Sequence, residues 1–386
     1  MRSGPPHSQA CVTNSPPSPP RSPKKIIAEE FAKPVEALFA EFPDTPIAAA
    51  SVAQVYKVQT PGGKALAVKV IRPGVRARFA HDLALFTWAA HKLEKRLPAS
   101  RRLKPVEVIR TLERSVRFEL DLRYEAAAMA EMRENIIDDT GWRVPLPHWA
   151  QVSERVMCSE WINGIPIHEV SALRASGHNP DIILQQLAEH FFLHVFRDGF
   201  FHADLHPGNV FVDRGGNIAV VDFGIMGRLE RRQRLYVAEI FRGFLNEDYR
   251  RVAQAHFRAG YVPAHQSVEE FALACRAIAQ PIFGRPANEI SIASLLGQLF
   301  AVTEVFEMET QPQLLLLQKT LVVVEGVGRM LNPNVNMWEM ARPPIEAWAK
   351  EHFSPRGRAR MAAQELCDVA HKLPQLMQKL EAMFEG

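Results

Sequence analysis

The stretch "HADLHPGNVFVDRGGNIAVVDFG", from His202 to Gly224, constrains this chain more than any other. Two short apolar runs flank the Gly215–Gly216 pair, a pattern that predicts a β-hairpin, because glycine adopts the positive φ of a tight turn. Around that hairpin the sequence gathers two histidines, three aspartates and two asparagines. Asp204 stands five residues before Asn209, and Asp222 opens the tripeptide Asp222-Phe223-Gly224. A core of ordinary size is available to support such a site. The chain has 386 residues, 47% of them hydrophobic and 23% charged, as in globular domains.

Three chemistries compete for the stretch. Were "HADLH" a strand, side chains alternating with period two would turn His202, Asp204 and His206 to one face. Two histidines and a carboxylate suit non-haem iron. That reading leaves Asn209 and Asp222 without a role, and no GxGxxG follows a strand to supply a flavin site. A plain polar turn leaves all the convergent polar groups without a cause. Phosphoryl transfer uses every one of them. A base is needed at the attacking oxygen, and an asparagine and an aspartate must hold Mg²⁺ against the triphosphate. The Asp-x4-Asn spacing followed by a hairpin and D-F-G meets that need in order. Upstream, "ALAVKVI" places Lys69 on an alternating apolar strand, suited to a phosphate-binding lysine.

Other features exclude function classes. The net charge of +3 gives no case for a nucleic-acid partner. The four cysteines (Cys11, Cys158, Cys275 and Cys367) form no CxxC pair, so neither a zinc knuckle nor a disulfide framework is expected, and a reducing cytosol is the expected compartment. No apolar run reaches the length of a membrane span. "LLLLQKTLVVVEGVG", from Leu314, is interrupted by Gln318, Lys319 and Glu325 and reads as a buried helix. The Pro/Ser-crowded leader to Pro23 is expected to be disordered.

From Ile26 the pattern predicts a short helix ("IIAEEFAKPVEALFAEF"), two strands ("SVAQVYKV" and "ALAVKVI") and one long helical stretch over Pro105–Arg133. A further strand is "RVMCSEWI", and helices dominate beyond it.

Together these motifs resemble the UbiB/aarF-domain (ADCK) family of atypical kinases, which supports ubiquinone biosynthesis; the resemblance runs from about Ile26 to Trp348. "PIAAASVAQV" is similar to the family's alanine-rich nucleotide loop, and "ELDLRYEAA" resembles its E-x-D motif, Glu119 and Asp121, followed by the helix glutamate, Glu125. "HADLHPGN" and "DFG" complete the set. The family also carries a K-x-G-Q motif before the alanine loop, and many bacterial members end in two membrane-spanning helices; neither is found in this sequence.

The resemblance implies an α+β, two-lobed protein-kinase-like fold with ATP and Mg²⁺ between the lobes. Its expected divisions are a tail at 1–25, an N-lobe at 26–160, a C-lobe at 161–348 and a helical tail at 349–386. Asp204 is implied as base, or as the residue that positions the acceptor, with Lys69 on the phosphates and Glu125 holding Lys69. Asn209 and Asp222 are the implied metal ligands. Ile47, Ala48, Ala49, Ala50, Ser51, Val52, Ala53, Gln54 and Val55 would cover the nucleotide, with Glu160 and Ile162 near the adenine.

Alanine at a loop where glycine would let backbone N–H groups approach phosphate implies a different nucleotide pose. "IMGRLERRQRLYVAEIF" runs almost directly from the DFG into helix, which disfavours a protein substrate. The expected partners are therefore ATP, an isoprenoid-phenol lipid or membrane surface, and enzymes of the ubiquinone pathway. The expected location is the cytoplasm, peripheral on the inner membrane. A small-molecule phosphotransferase of the aminoglycoside or choline kinase type, and a non-catalytic nucleotide-binding scaffold, remain the alternatives. The tail from Leu366 to Met383 has apolar residues at helical spacing and is expected to pack as a helix.

Overall fold

The computed structural model describes residues 22–49, 52–96, 105–280, 301–308, 311–334, 337–355, 357 and 359. Most of the leader, Ala50 and Ser51 of the alanine loop, and the Leu366–Met383 helix lie outside them. The chain divides into two compact units. One comprises 1–126 with 147–161, the other 127–146 with 162–386.

The first unit is built on a five-stranded antiparallel sheet, in the order β1 (Ala48–Ala49), β2 (Ala53–Gln59), β3 (Ala65–Ile71), β6 (Val156–Glu160) and β5 (Pro147–Val152). Alternation along β3 sends Leu66, Val68 and Val70 into the core and Ala65, Ala67 and Lys69 to the opposite face. The core side is closed by α1 (Pro23–Phe31) and α2 (Val35–Leu38), whose Ile26, Ile27 and Val35 pack with Tyr56, Val68 and Val156. Each fully buried aliphatic side chain here contributes about 1.5–3 kcal/mol.

Helix begins at Pro23, inside the expected tail. Ser22 caps it by accepting from the Lys25 N–H, and Pro23 takes the first position, where its missing N–H costs nothing. The single helix expected over "IIAEEFAKPVEALFAEF" is two. Ala32 turns left-handed at φ 49°, and Pro34 then caps α2. Proline in a helix interior lacks the N–H and clashes with the preceding turn. After β3 come α3 (Val75–Arg96) and α4 (Pro105–Glu119), which pack together.

The long helix expected over Pro105–Arg133 is likewise broken, between α4 and α5 (Leu122–Asn135). Asp121 sits at the break and accepts a hydrogen bond from the Arg123 N–H at 3.1 Å, the N-cap geometry that starts a new helix.

In the second unit β4 (Trp142–Arg143), β10 (Ile218–Val220), β9 (Val210–Asp213) and β7 (Gly164–Pro166) form a sheet in that order. β4 pairs with β10 in parallel. This pairing draws 127–146 into the second unit, although the expected boundary kept everything before 161 with the first. A second small sheet pairs β8 (Phe200–His202) with β11 (Met226–Arg228); β11 had not been expected.

The helices of this unit include α6 (Val170–Ala175), α7 (Pro180–Leu193), α8 (Arg231–Leu245), α9 (Tyr249–Arg258), α10 (Val268–Ala279), α11 (Pro312–Leu331) and α12 (Met337–Phe353). α12 runs through the boundary expected at 348. α7 ends in a π-helical turn, His194–Asp198, and Gly199 at φ 66° then reverses the chain into β8. A Cβ at Gly199 would stand 2.6 Å from the Leu229 carbonyl oxygen, so only glycine fits. Among the described residues no helix is long and apolar enough to cross a membrane.

Candidate active site

In the first unit, Lys69 Nζ meets Glu125 Oε1 at 2.8 Å, with only 15% and 6% of the two side chains exposed. The strand and the helix each fix one partner. Lys69 is held between Val55 and Met157 on the neighbouring strands, and Glu125 lies in the first turn of α5, where the helix dipole favours an anion. Leaving either charge buried without the other costs about 3–5 kcal/mol, so the pair is a fixed element of the unit.

The two E-x-D acids separate. Glu119 ends α4 exposed, whereas Asp121 is buried and takes Arg123 Nε and Nη2 at 2.9 and 2.7 Å. Those hydrogen bonds hold the Asp121 carboxyl below its usual range. Asp121 thus caps the helix that presents Glu125. Ile47, Ala48 and Ala49 are exposed on the β1–β2 hairpin, where the Ile47 N–H donates to the Val55 carbonyl. Val52 and Ala53 are buried, and Gln54 and Val55 half-buried. Glu160 ends β6 in the first unit, and the buried Ile162 opens the second.

In the second unit the Asp-x4-Asn segment folds as a loop and a short 3₁₀ turn, not as a strand. His202 is 1% exposed. Its Nδ1 accepts from the Asp204 N–H at 3.1 Å, and its Nε2 donates to the Val221 carbonyl at 3.2 Å. Its ring packs edge-on against Phe223, 5.3 Å away. One imidazole therefore ties the loop to the DFG segment. His206 Nδ1 accepts from the Gly208 N–H. Both histidines serve the backbone, and His202, Asp204 and His206 do not form the cation cluster that period-two alternation would have produced.

Asn209 Nδ2 donates to the Asp204 carbonyl oxygen at 3.0 Å and to Oδ2 at 3.4 Å. The Val221 N–H donates to the Asn209 carbonyl at 2.9 Å, so the hairpin sets Asn209 beside the residue that precedes Asp222. With its amide nitrogen directed at Asp204, the side-chain oxygen of Asn209 is the atom that could face a cation. Asp222 holds the left-handed conformation at φ 64°, uncommon without glycine, with Oδ1 accepting from the Gly224 N–H. Hard oxygen donors of this kind suit Mg²⁺. Anchoring the turn, Phe223 is 1% exposed.

Sequence reasoning missed two participants. The first is the clamp made by His202. The second is Lys319 on α11, whose Nζ reaches Asp204 Oδ1 at 3.0 Å from 115 residues away. Its only signal was an isolated lysine in the apolar run from Leu314.

A separate cluster forms where Asp139, His190 and His194 converge. Arg197 takes both Asp139 oxygens, at 2.7 and 2.8 Å. His190 Nε2 faces the Thr140 carbonyl oxygen, and both imidazoles pack on Trp142. His190 Nδ1 and His194 Nε2 have no hydrogen-bond partner.

Burial disfavours the charged form of His190, His194 and His202, bringing His194 down to about 3. Unfolding lets each return toward 6.5 and take up a proton in mild acid. Their stabilising effect is complete above pH 6.5 and is lost as pH falls through the folded values, by up to about 1.4 kcal/mol per pH unit for each histidine. The melting temperature of the whole chain should drop between pH 6.5 and 5, and His194→Phe should flatten that drop. Equal slopes in variant and wild type would refute it.

A model of the ABC1 atypical kinase-like domain matches residues 11–256, and one of the UbiB helical domain matches 275–336. The chain belongs to the ABC1/UbiB family of atypical kinases. Relatives named "Probable protein kinase UbiB" include one from Marinobacter nauticus, 40% identical over 94% of this chain and 67% of its own length. Another, from Vibrio cholerae, is 41% identical over 92% of this chain and 66% of its own. The chain thus spans about two thirds of the length of these relatives. The fold also resembles that of Rv3197 from Mycobacterium tuberculosis, solved in complex with erythromycin. It matches at a TM-score of 0.63 and 24% identity, over 87% of this chain and 83% of that one. The UbiB-type fold is therefore α+β and kinase-like, as the motifs implied, with its five-stranded sheet in the first unit and a mainly helical remainder that carries two smaller sheets.

Proposed function

We propose that this UbiB-type chain binds ATP with Mg²⁺ and moves or hydrolyses the γ-phosphate in support of ubiquinone biosynthesis. The observation that carries the reading is Asp204 held by Asn209, with Asn209 joined through the Val221 N–H to the DFG segment. Phosphoryl transfer draws its catalysis almost wholly from positioning and charge stabilisation, and this loop sets the Asp204 carboxylate and the Asn209 amide on backbone joined to the segment that carries Asp222.

Asp204 accepts the proton of the attacking hydroxyl or water, while the oxygen of ADP departs with the electron pair of the broken P–O bond. Asn209 and Asp222 would hold Mg²⁺, which would supply positive charge to the triphosphate. Lys69, kept in place by Glu125, binds phosphate oxygens, and residues 47–55 cover the nucleotide, with Glu160 and Ile162 by the adenine. The relatives' name, and the family resemblance, support the pathway.

A small acceptor is favoured over a protein. β11 ends at Arg228 and α8 begins at Arg231, leaving no length for a segment that would cradle a peptide.

The test uses the whole chain. ADP release should require Mg²⁺, cease with chelator, and rise when an isoprenoid phenol in anionic vesicles is supplied. The protein should also restore ubiquinone to bacteria that lack their own UbiB-type protein. Absence of any Mg²⁺-dependent turnover would refute the reading.

A further inference from the structure

We infer that Lys319 is a catalytic cation of this site, carried in from the helical domain to contact the phosphoryl group in transfer. This rests on the reading of Asp204 as the base. Charge builds on the equatorial oxygens of the moving phosphoryl group, and a positive group beside them lowers the barrier. The loop that supplies the base has no such group, since "HADLHPGN" contains neither lysine nor arginine. Its histidines are engaged as well. His202 is buried and neutral between Asp204 and Val221, and His206 accepts from Gly208.

Lys319 brings a positive charge to the base itself, beside the charges assigned above to Lys69 and Mg²⁺. Its Nζ lies 3.0 Å from Asp204 Oδ1, while Asn209 donates to Oδ2 of the same carboxylate. An ammonium has three donors. One is directed at Asp204, which leaves two for phosphate oxygens at the point where the acceptor's proton is taken.

The helix makes that placement firm. Lys319 is flanked on α11 by Leu317, 3% exposed, and Thr320, fully buried, whose hydroxyl donates to the Leu316 carbonyl at 2.7 Å. α11 packs against α7 and β11 in the same unit. The pair itself stays open, with 49% of the lysine side chain and 34% of the aspartate exposed. An ion pair so exposed adds at most about 1 kcal/mol to stability. The pair is therefore not needed to hold the fold together, and exchanging a carboxylate for a phosphate partner costs little.

In the step assigned to Lys319, the acceptor O–H gives its proton to Asp204, the new O–P bond forms, and the bond to the ADP oxygen breaks. The ammonium keeps its protons and neutralises the phosphoryl oxygens throughout.

Wild type, Asp204→Asn, Lys319→Met, Lys319→Arg and Lys319→Cys are compared for ATP turnover and for binding of ADP with Mg²⁺. Lys319→Met is expected to lower kcat roughly a hundredfold while ADP affinity stays within about threefold and the melting temperature holds. Arginine should restore part of the rate. Treating Lys319→Cys with 2-bromoethylamine, which rebuilds the ammonium on a thioether, should restore most of it without altering the wild type. Wild-type kcat in Lys319→Met, or no rescue by either arginine or the aminoethyl group, would overturn the inference while the loss in Asp204→Asn still upheld the base. Equal rates in wild type and Asp204→Asn, zero included, would remove the base and this inference with it.

Discussion

Asp204→Asn should lower ATP turnover by roughly a hundredfold or more, the scale expected when a proton-accepting group is lost, and leave nucleotide binding nearly unchanged. The substitution is nearly isosteric. The introduced amide would keep a side-chain oxygen for one of the two donors on the carboxylate, Asn209 Nδ2 at Oδ2 or Lys319 Nζ at Oδ1, and Asn209 would keep its 3.0 Å hydrogen bond to the backbone carbonyl of residue 204. What it removes is the charge proposed above to take the proton. Paired measurements of ADP release and of nucleotide affinity check this result. In cells lacking their own UbiB-type protein, the variant should fail to restore ubiquinone. Rescue equal to wild type would favour a scaffold that binds nucleotide without turning it over.

The second large effect belongs to Asp222. Its backbone sits at φ 64°, where asparagine is among the few residues tolerated besides glycine and aspartate. Asp222→Asn therefore keeps the turn and deletes one negative charge, whereas alanine would mix backbone strain with charge loss. Affinity for ATP in the presence of Mg²⁺ should fall about 10- to 100-fold, equivalent to about 1.4–2.8 kcal/mol. Affinity measured with excess chelator should change little. Tight, chelator-insensitive ATP binding by the variant would remove Asp222 from the metal site.

Features set by neighbours in sequence could be read directly. β3 lies where "ALAVKVI" placed it, because its alternation is a local property and already selected the face that carries Lys69. The hairpin was legible for the same reason. Gly216 turns at φ 81°, and the Asp213 carboxylate accepts from the Gly215 and Asn217 N–H groups.

Two breaks were legible in principle, since Pro34 and the cap at Asp121 are local signals. They were obscured by apolar residues continuing at helical spacing on both sides. Three features were beyond local reading. β4 pairs with β10 across about 75 residues of chain, and no pattern in "WR" announces a strand. Lys319 meets Asp204 across 115 residues. His202 carries the same letter whether it binds a metal, a proton or a backbone; only its burial and its two partners decide which.

That last feature bears on how loss-of-function variants of this chain should be chosen. His202 stands at the head of the motif, and its replacement will abolish function by every assay. It will do so by loosening two backbone segments and a buried ring at once, so the result cannot distinguish a missing reaction from a missing fold. Asp204 and Lys319 are each a third to a half exposed. A chromosome carrying Asp204→Asn would retain the protein and lack only its chemistry, which makes it the informative allele for separating what the cell needs made from what it needs held.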